Sequence, residues 1–131
     1  MRVVFDTHTL VYWISDPDRL TPAQQHAVRT VSPENPAIVA DISLWEIAML
    51  AVGGKIKLQY PVRSWLARAV APPLVRLAEI TPTIAGAVTD LVSWPNRDPA
   101  DRLIVATVQV YGAVLLTNDE VIRSSRLVEV V

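Results

Sequence analysis

The stretch Arg2-Val3-Val4-Phe5-Asp6 opens the chain and decides how the remainder can fold. It is a short run of mostly β-branched and aromatic residues that ends at a carboxylate, which predicts a buried strand followed directly by an acid. Strands buried on both faces belong to parallel sheets with helices on either side. Since such sheets bind ligands beyond the carboxyl ends of their strands, Asp6 is a candidate site residue.

The rest of the sequence alternates short apolar runs with amphipathic stretches. Further strands are predicted at Ala37–Ala40, Leu74–Leu77 and Val114–Leu116, with a fifth edge strand at Leu127–Val130. Predicted helices are Thr9–Ile14, one from Thr21, one from Ser43 to Gly53, Pro61–Val70, Thr81 to about Leu91, and Asp98 to about Tyr111. Strands alternating with helices predict an α/β fold with a mostly parallel sheet of four to five strands. No linker, repeat or low-complexity tract interrupts residues 1–131, so a single domain is expected.

Composition excludes several classes of protein. The 131 residues carry a net charge of −1, so the molecule as a whole is not an electrostatic nucleic-acid binder. There is no cysteine, which excludes zinc–thiolate sites and thiol nucleophiles and suits a cytoplasmic location. The most apolar later run, Leu103–Leu116, is too short for a membrane span. The hydrophobic share of 51% has two explanations, a large aliphatic core or an apolar surface that a partner covers.

Four carboxylates fall where the predicted topology gathers strand ends. Asp6 follows the first strand, Glu46 lies one turn into the helix after the second, and Asp119 lies just beyond Leu116. Asp101 is on the first turn of the helix that leads into the fourth strand. Because parallel strands end at the same edge, all four acids are expected at one rim.

Each acid also has a purely structural explanation. Ser43 and Glu46 have the spacing of a capping box, and Asp6, Asp98 and Asp119 precede helices that they could cap. Four anions in one cleft would nevertheless repel each other, and a divalent cation would remove that repulsion. An all-oxygen ligand set favours Mg²⁺ or Mn²⁺, and carboxylates that hold such ions serve phosphoryl transfer.

Four blocks of sequence contain the acids together with their neighbours. The blocks are Val3-Val4-Phe5-Asp6-Thr7-His8-Thr9-Leu10, Ser43-Leu44-Trp45-Glu46-Ile47-Ala48, the run from Arg97 to Ala106 that contains Asp98-Pro99-Ala100-Asp101-Arg102, and Leu115-Leu116-Thr117-Asn118-Asp119. They resemble the PIN-domain family, and more narrowly its VapC-type toxin ribonucleases. The blocks occur in the family's order and cover nearly the whole chain.

The resemblance implies a three-layer α/β/α sandwich and an endoribonuclease that depends on Mg²⁺ or Mn²⁺. It also implies an RNA substrate, a homodimer and inhibition by a cognate antitoxin protein. By position, Asp6, Glu46, Asp101 and Asp119 match the family's acidic ligands, which are expected to be both catalytic and metal-binding. Asp98 matches a further acidic position, although a helix-capping role is favoured for it.

Three positions depart from the pattern of the family. Ala100 stands where relatives often carry a bulky aromatic residue, Leu50 where a lysine often follows, and Asn96 where histidine is frequent. None of them removes a carboxylate, so they bear on substrate fit and not on metal binding.

Other polar residues beside the acids are weaker candidates. Thr7, Ser43, Thr117 and Asn118 could bind water or phosphate, or could only form local turn bonds. Arg102 could pair with a carboxylate or phosphate, or could pack. A structural role is favoured for His8. The basic stretch of Lys55, Lys57, Arg63 and Arg68 is interpreted as a solvated face that could hold RNA, and a tryptophan would stack on a base only if exposed in the cleft.

Alternative functions remain open at this point. A phosphorelay receiver is disfavoured because the only lysines, Lys55 and Lys57, are poorly placed, and a haloacid-dehalogenase-like phosphatase is disfavoured because His8 replaces the second aspartate of its motif. A PIN nuclease that processes RNA without being a toxin, and a degenerate domain that only binds RNA or a partner, are the two alternatives kept. The small size favours the toxin.

Overall fold

A parallel sheet forms the middle layer of the computed structural model, which describes residues 1–131. Its strands are β1 (Val3–Phe5), β2 (Ala37–Ala40), β3 (Val75–Ala78) and β4 (Val114–Leu116). They are ordered β3-β2-β1-β4, and every neighbouring pair is parallel. The predicted parallel sheet is confirmed, and β1 lies inside it with β4 and β2 on its two sides.

Seven α-helices and two short 3₁₀ segments connect the strands. The helices are α1 (Thr7–Ser15), α2 (Pro22–Val28), α3 (Asp41–Val52), α4 (Val62–Ala69), α5 (Pro82–Ala87), α6 (Pro99–Tyr111) and α7 (Glu120–Ser125), and the 3₁₀ segments are Pro17–Arg19 and Val88–Leu91. The predicted start of α2 is confirmed as a full capping box, in which Thr21 and Gln24 bond each other's backbone. Gly112 ends α6 with φ 59°, a conformation that glycine adopts at little cost.

Successive strand residues are buried in two separate cores, one on each face of the sheet. The molecule therefore has three layers, with helices, sheet and helices in turn. Val3 and Phe5 face one core, with side chains from α1 to α4 that include Leu10 and the fully buried Trp65. Val4 faces the other core, which is formed with α5, α6 and α7. A β-strand points successive side chains to opposite faces, so a three-residue strand can serve both cores.

Several predicted boundaries need correction. The helix expected at Ser43 begins at Asp41, with Ala40 at its cap position and no side-chain cap bond, so the capping-box interpretation of Ser43 and Glu46 is wrong. The helix expected to run to Leu91 stays α-helical only to Ala87 and then tightens into the 3₁₀ segment.

The fifth strand predicted at Leu127–Val130 is also too long. Only one parallel bridge forms, between Leu115 and Val130. Arg126 has a left-handed φ of 56° that turns the chain after α7, and only its last residues then lie along β4.

Helix α3 has an apolar side that nothing in the structure covers. Trp45, Met49 and Val52 lie on it at helical spacing and are 59%, 49% and 81% exposed. The high apolar content of the chain therefore includes surface as well as core. No helix has the length and apolar character needed to cross a membrane.

Candidate metal centre

A cavity of about 340 Å³ opens at the carboxyl-end rim of β1 and β4 and collects most of the acids singled out in the sequence. Five carboxylates line it together with a threonine, a histidine, a tyrosine, an isoleucine and an asparagine: Asp6, Glu46, Asp98, Asp101, Asp119, Thr7, His8, Tyr12, Ile104 and Asn118. The topology argument therefore places the four main acids and Asp98 in one cleft, as the sequence predicts.

Asp6 is the most firmly held of the five acids. It is 9% exposed and caps α1, because its Oδ1 accepts bonds from the backbone N–H and the hydroxyl of Thr9, at 2.9 and 2.7 Å. Its Oδ2 accepts a short hydrogen bond from the Thr117 hydroxyl at the end of β4. Capping and ligand roles are thus compatible, since helix and strand fix the carboxylate at the cavity wall.

Glu46 reaches the cavity from the second turn of α3. Its Oε1 accepts a short hydrogen bond from the Thr7 hydroxyl, and the hydroxyl oxygens of Thr7 and Ser43 lie 3.3 Å apart. Burial raises the pKa of Glu46, and the charges of Asp98 and Asp101 raise it further, against the opposing effects of Thr7 and His8. Ser43 is fully buried and supports Thr7, so it serves the site without lining it.

Asp101 stands on the first turn of α6 and has one side-chain partner. The amide of Asn96 donates to its Oδ2 at 2.9 Å. Burial raises the pKa of Asp101, and the neighbouring charges of Asp98, Asp119 and Asp6 add to the rise. Asn96, noted in the sequence only as a departure from the family pattern, is therefore a site residue that sequence reasoning missed.

Asp98 and Asp119 each cap a helix and line the cavity at the same time. Asp98 Oδ1 accepts from the backbone N–H groups of Ala100 and Asp101, at 2.9 and 3.2 Å. Asp119 Oδ1 accepts from Val121 and Ile122, at 2.8 and 3.1 Å. In both acids the hydrogen bonds leave Oδ2 without a protein partner, which leaves an oxygen free for a ligand.

Asn118 is held from across the molecule. The fully buried Gln24 of α2 donates from its amide to Asn118 Oδ1 at 2.9 Å and to the backbone oxygen of Val131 at 3.1 Å. Its own carbonyl oxygen is used by the α2 capping box. The local sequence predicts the role of Gln24 in the capping box. Nothing in the local sequence predicts its bond to Asn118.

Arg102 is turned away from the carboxylates. Its guanidinium donates to three backbone carbonyls, from Nε to Asn96 at 2.7 Å, from Nη2 to Trp94 at 2.8 Å and from Nη1 to Leu91 at 3.2 Å. These bonds hold the segment that carries Asn96 and Asp98 against α6. Of its two sequence-based interpretations, the structure supports the packing one.

His8 and the four tryptophans differ in their exposure and in their position relative to the cavity. His8 is exposed and lines the cavity, and the structural role favoured for it stays a prediction. Trp65 and Trp94 are buried, and Trp13 stacks on Phe5 with ring centroids 4.8 Å apart. Trp45 is exposed but does not line the carboxylate cavity, so it belongs with the apolar side of α3.

The cavity carries a concentrated negative charge that the protein does not neutralise. The structure has one ion pair, between Arg123 and Glu120, and no lysine or arginine lies within 4.0 Å of a cavity carboxylate oxygen. No three of the acids are grouped closely enough to ligate one ion unaided. Mg²⁺ commonly takes only one or two carboxylates and keeps several waters, so this donor set fits such a cation held partly through water.

Comparisons with known proteins agree with this fold. A family model described as "PIN domain" matches residues 3–125. Ribonuclease VapC22 from Mycobacterium tuberculosis is 39% identical over 124 residues, which are 95% of this chain and 92% of that relative.

Two solved structures share the fold over the full length of the chain. VapBC2 from Rickettsia felis, bound to a promoter DNA fragment, matches with TM-score 0.69 and 17% identity over 100% of this chain and 98% of that one. VapBC-1 from nontypeable Haemophilus influenzae matches with TM-score 0.69 and 14% identity, covering 100% and 97%. Because the family model matches residues 3–125 and a relative is 39% identical over 95% of the chain, the chain belongs to the PIN-domain family, whose fold it shares.

Proposed function

We propose that this protein is an endoribonuclease that uses Mg²⁺ or Mn²⁺ and acts as the toxin of a toxin–antitoxin pair. The observation that carries the proposal is the group of five carboxylates that share one cavity without a compensating cation from the protein. Its 39% identity to a ribonuclease supports RNA as the substrate.

The cavity residues divide into ligands and positioning groups. Asp6 is the central ligand, because hydroxyls from α1 and from the end of β4 fix both of its oxygens. Asp101 and Asp119 complete the principal cation site directly or through water, and Asp98, whose Oδ2 has no protein partner, lines the same cavity. A divalent cation, when bound there, polarises a phosphoryl oxygen and lowers the pKa of its water.

Glu46 has the properties of the group that orients the attacking water or a second cation. It is the one acid of the five that comes from α3, so it approaches the cavity from a separate helix. Its raised pKa means that burial and its acidic neighbours make it a better proton acceptor than an ordinary glutamate. Thr7 holds its carboxylate in place.

The test is cleavage of total cellular RNA with added Mn²⁺ or Mg²⁺, with excess chelator, and with sequencing of the new 5′ and 3′ ends. Asp6→Asn and Asp101→Asn should abolish cleavage. Asp6→Asn should fold because asparagine also caps helices well, and Asp101→Asn should fold because Asp101 accepts a single side-chain bond, from Asn96, that an amide oxygen can also accept. The matched control is Asp90→Asn, which changes an exposed acid that does not line the cavity. Cleavage by Asp6→Asn and Asp101→Asn at the wild-type rate, or cleavage unaffected by chelator, would refute the proposal.

The apolar side of α3 is the candidate surface for protein partners, which we take to be an antitoxin and a second copy of the chain. Trp45, Met49 and Val52 are too exposed for a surface that stays in water. Growth arrest on expression, relieved by the product of a neighbouring small open reading frame, would support the toxin assignment. Cleavage without growth arrest would favour RNA processing instead, and no cleavage at all would favour the degenerate binding domain.

A further inference from the structure

A second groove, of about 540 Å³, adjoins the carboxylate cavity and has the opposite charge. It lies between the end of α1 and the segment that follows α3, and Arg19, Lys55 and Lys57 supply its basic groups. His8 and Tyr12 line both the groove and the cavity, so the two spaces adjoin at these two side chains. We call this space the basic groove.

The three cations of the basic groove are not used to stabilise the fold through ion pairs. None lies within 4.0 Å of a carboxylate oxygen, although Asp16 also lines the groove. Arg102 is the contrasting case, because its guanidinium is fully engaged by backbone carbonyls. In a chain of net charge −1, three cations without a carboxylate partner around one groove create a local positive potential suited to an anion.

The fold, and not the local sequence, assembles these charges. The guanidinium of Arg19 lies 4.4 Å from the centre of the Tyr12 ring, which holds it at the junction with the cavity. Lys55 is held by a bond from its backbone N–H to Leu50 at 2.9 Å, and Gly54, with φ 70°, makes the turn before it.

The sequence grouped Lys55 and Lys57 with two arginines that the structure places elsewhere. Neither Arg63 nor Arg68 lines the groove, and Arg68 instead stacks on Tyr60 at 4.1 Å. Of the four residues in the basic stretch, two line the groove and two belong to a solvated face. The third cation of the groove, Arg19, lies 36 residues before Lys55 in the chain.

We propose that the basic groove binds the phosphodiester backbone of single-stranded RNA next to the scissile phosphate. The inference rests on the proposed function, since a strand whose reacting phosphate sits at the carboxylate cavity can leave it along the cation-lined wall past His8 and Tyr12. Grooves that hold single strands combine cations along the backbone with aromatic side chains, and this groove has three cations beside the exposed His8 and the half-buried Tyr12. We favour an RNA strand over an acidic protein segment for the following reason. Successive phosphates of RNA need a cation both in the carboxylate cavity, where the metal would supply it, and in the basic groove, where the protein supplies it.

The test is binding of a fluorescein-labelled, random-sequence RNA of about 16 nucleotides, measured by anisotropy in chelator so that no cleavage occurs. Wild type is compared with Lys55→Gln/Lys57→Gln, with Arg19→Gln, and with Arg29→Gln/Arg63→Gln. The last variant is the matched control, because it removes the same charge from exposed positions outside the groove. Each protein is measured from about 50 to 200 mM salt.

The expected result follows from counterion release. Each lost contact with a single strand lowers the slope of log K against log salt by about 0.7, so the double lysine variant should lose about 1.4 in slope. With equal binding of the two proteins at 1 M salt as the reference, that difference in slope makes the variant bind RNA about 25-fold more weakly than wild type at 0.1 M. Arg19→Gln should lose about half as much slope, and the control should keep the wild-type slope.

The inference is overturned if wild type does not bind RNA, if groove and control variants weaken binding equally, or if a polyglutamate peptide displaces the RNA at comparable concentration. Cleavage of total RNA by the same proteins separates this failure from failure of the proposed function. If wild type cleaves RNA and the groove variants bind and cleave it equally well, the proposal for the basic groove is refuted and the proposed nuclease function stands. If RNA binding depends on the groove residues but no metal-dependent cleavage occurs, the proposed nuclease function is refuted and the groove remains an RNA-binding site.

Discussion

Replacing Arg102 by lysine should loosen one wall of the metal centre while conserving its charge. Arg102 holds three backbone carbonyls between Leu91 and Asn96, and that segment leads directly into Asp98. Lysine has one donor nitrogen where the guanidinium uses three, so it can reach one of the carbonyls well and must abandon the others.

The size of the effect follows from the lost bonds. A hydrogen bond from a charged donor contributes about 1.5–3 kcal/mol, and two are lost. Because water reaches part of this segment, the lower end applies, which gives a loss of about 3 kcal/mol in the free energy of unfolding. For a domain of this size each kcal/mol lowers Tm by about 4 °C, so Arg102→Lys should unfold about 12 °C below wild type.

The assay is thermal unfolding followed by far-ultraviolet circular dichroism, with Arg97→Lys as the control. Arg97 lies in the same segment and makes no side-chain hydrogen bond or ion pair, so its replacement should leave Tm unchanged. Below the transition, Arg102→Lys should need more Mn²⁺ for half-maximal RNA cleavage, because Asn96 positions Asp101.

A fall in Tm no larger than that of the Arg97 variant would refute the reasoning about stability. A fall of the expected size with an unchanged requirement for Mn²⁺ would refute the link between this segment and the metal centre.

Three further outcomes are expected. Thr117→Val, which removes the hydroxyl bonded to the first-strand aspartate, should cost about 10–100-fold in cleavage or Mn²⁺ affinity, whereas Thr107→Val should not; equal activity of the two variants would contradict the positioning role. Burial raises the pKa of Glu46 and of Asp101, so without metal these groups stabilise the fold at low pH, and that stability is lost as the pH rises through the raised pKa values. Since Mn²⁺ competes with the same protons, it should raise Tm more at about pH 8 than at about pH 5, and an equal rise at both would count against a carboxylate site. Val52→Glu should keep the rate of RNA cleavage but lose either the dimer mass in sedimentation or inhibition by the antitoxin, and retention of both would exclude the α3 side as a partner surface.

Local sequence determined the strands and most of the helices of this protein. Buried strands are predicted at Arg2–Phe5, Ala37–Ala40 and Val114–Leu116 because short apolar runs with β-branched or aromatic residues favour strands. Parallel connectivity then requires the strands to end at one edge, so the convergence of Asp6, Glu46, Asp101 and Asp119 was predictable before any coordinates. Family resemblance narrowed the chemistry from any hard-cation site to a nuclease.

Only the tertiary structure decided which polar groups serve those acids. Ser43 has the spacing of a cap yet supports Thr7, Gln24 reaches Asn118 across 94 residues, and Arg102 holds backbone instead of a carboxylate. The same holds for the basic groove, which takes Arg19 from one segment and Lys55 from another. The physical reason is range: strand and cap preferences act over a few neighbouring residues, whereas these hydrogen bonds and charge groupings join residues that become neighbours only when the sheet and its two layers of helices have packed.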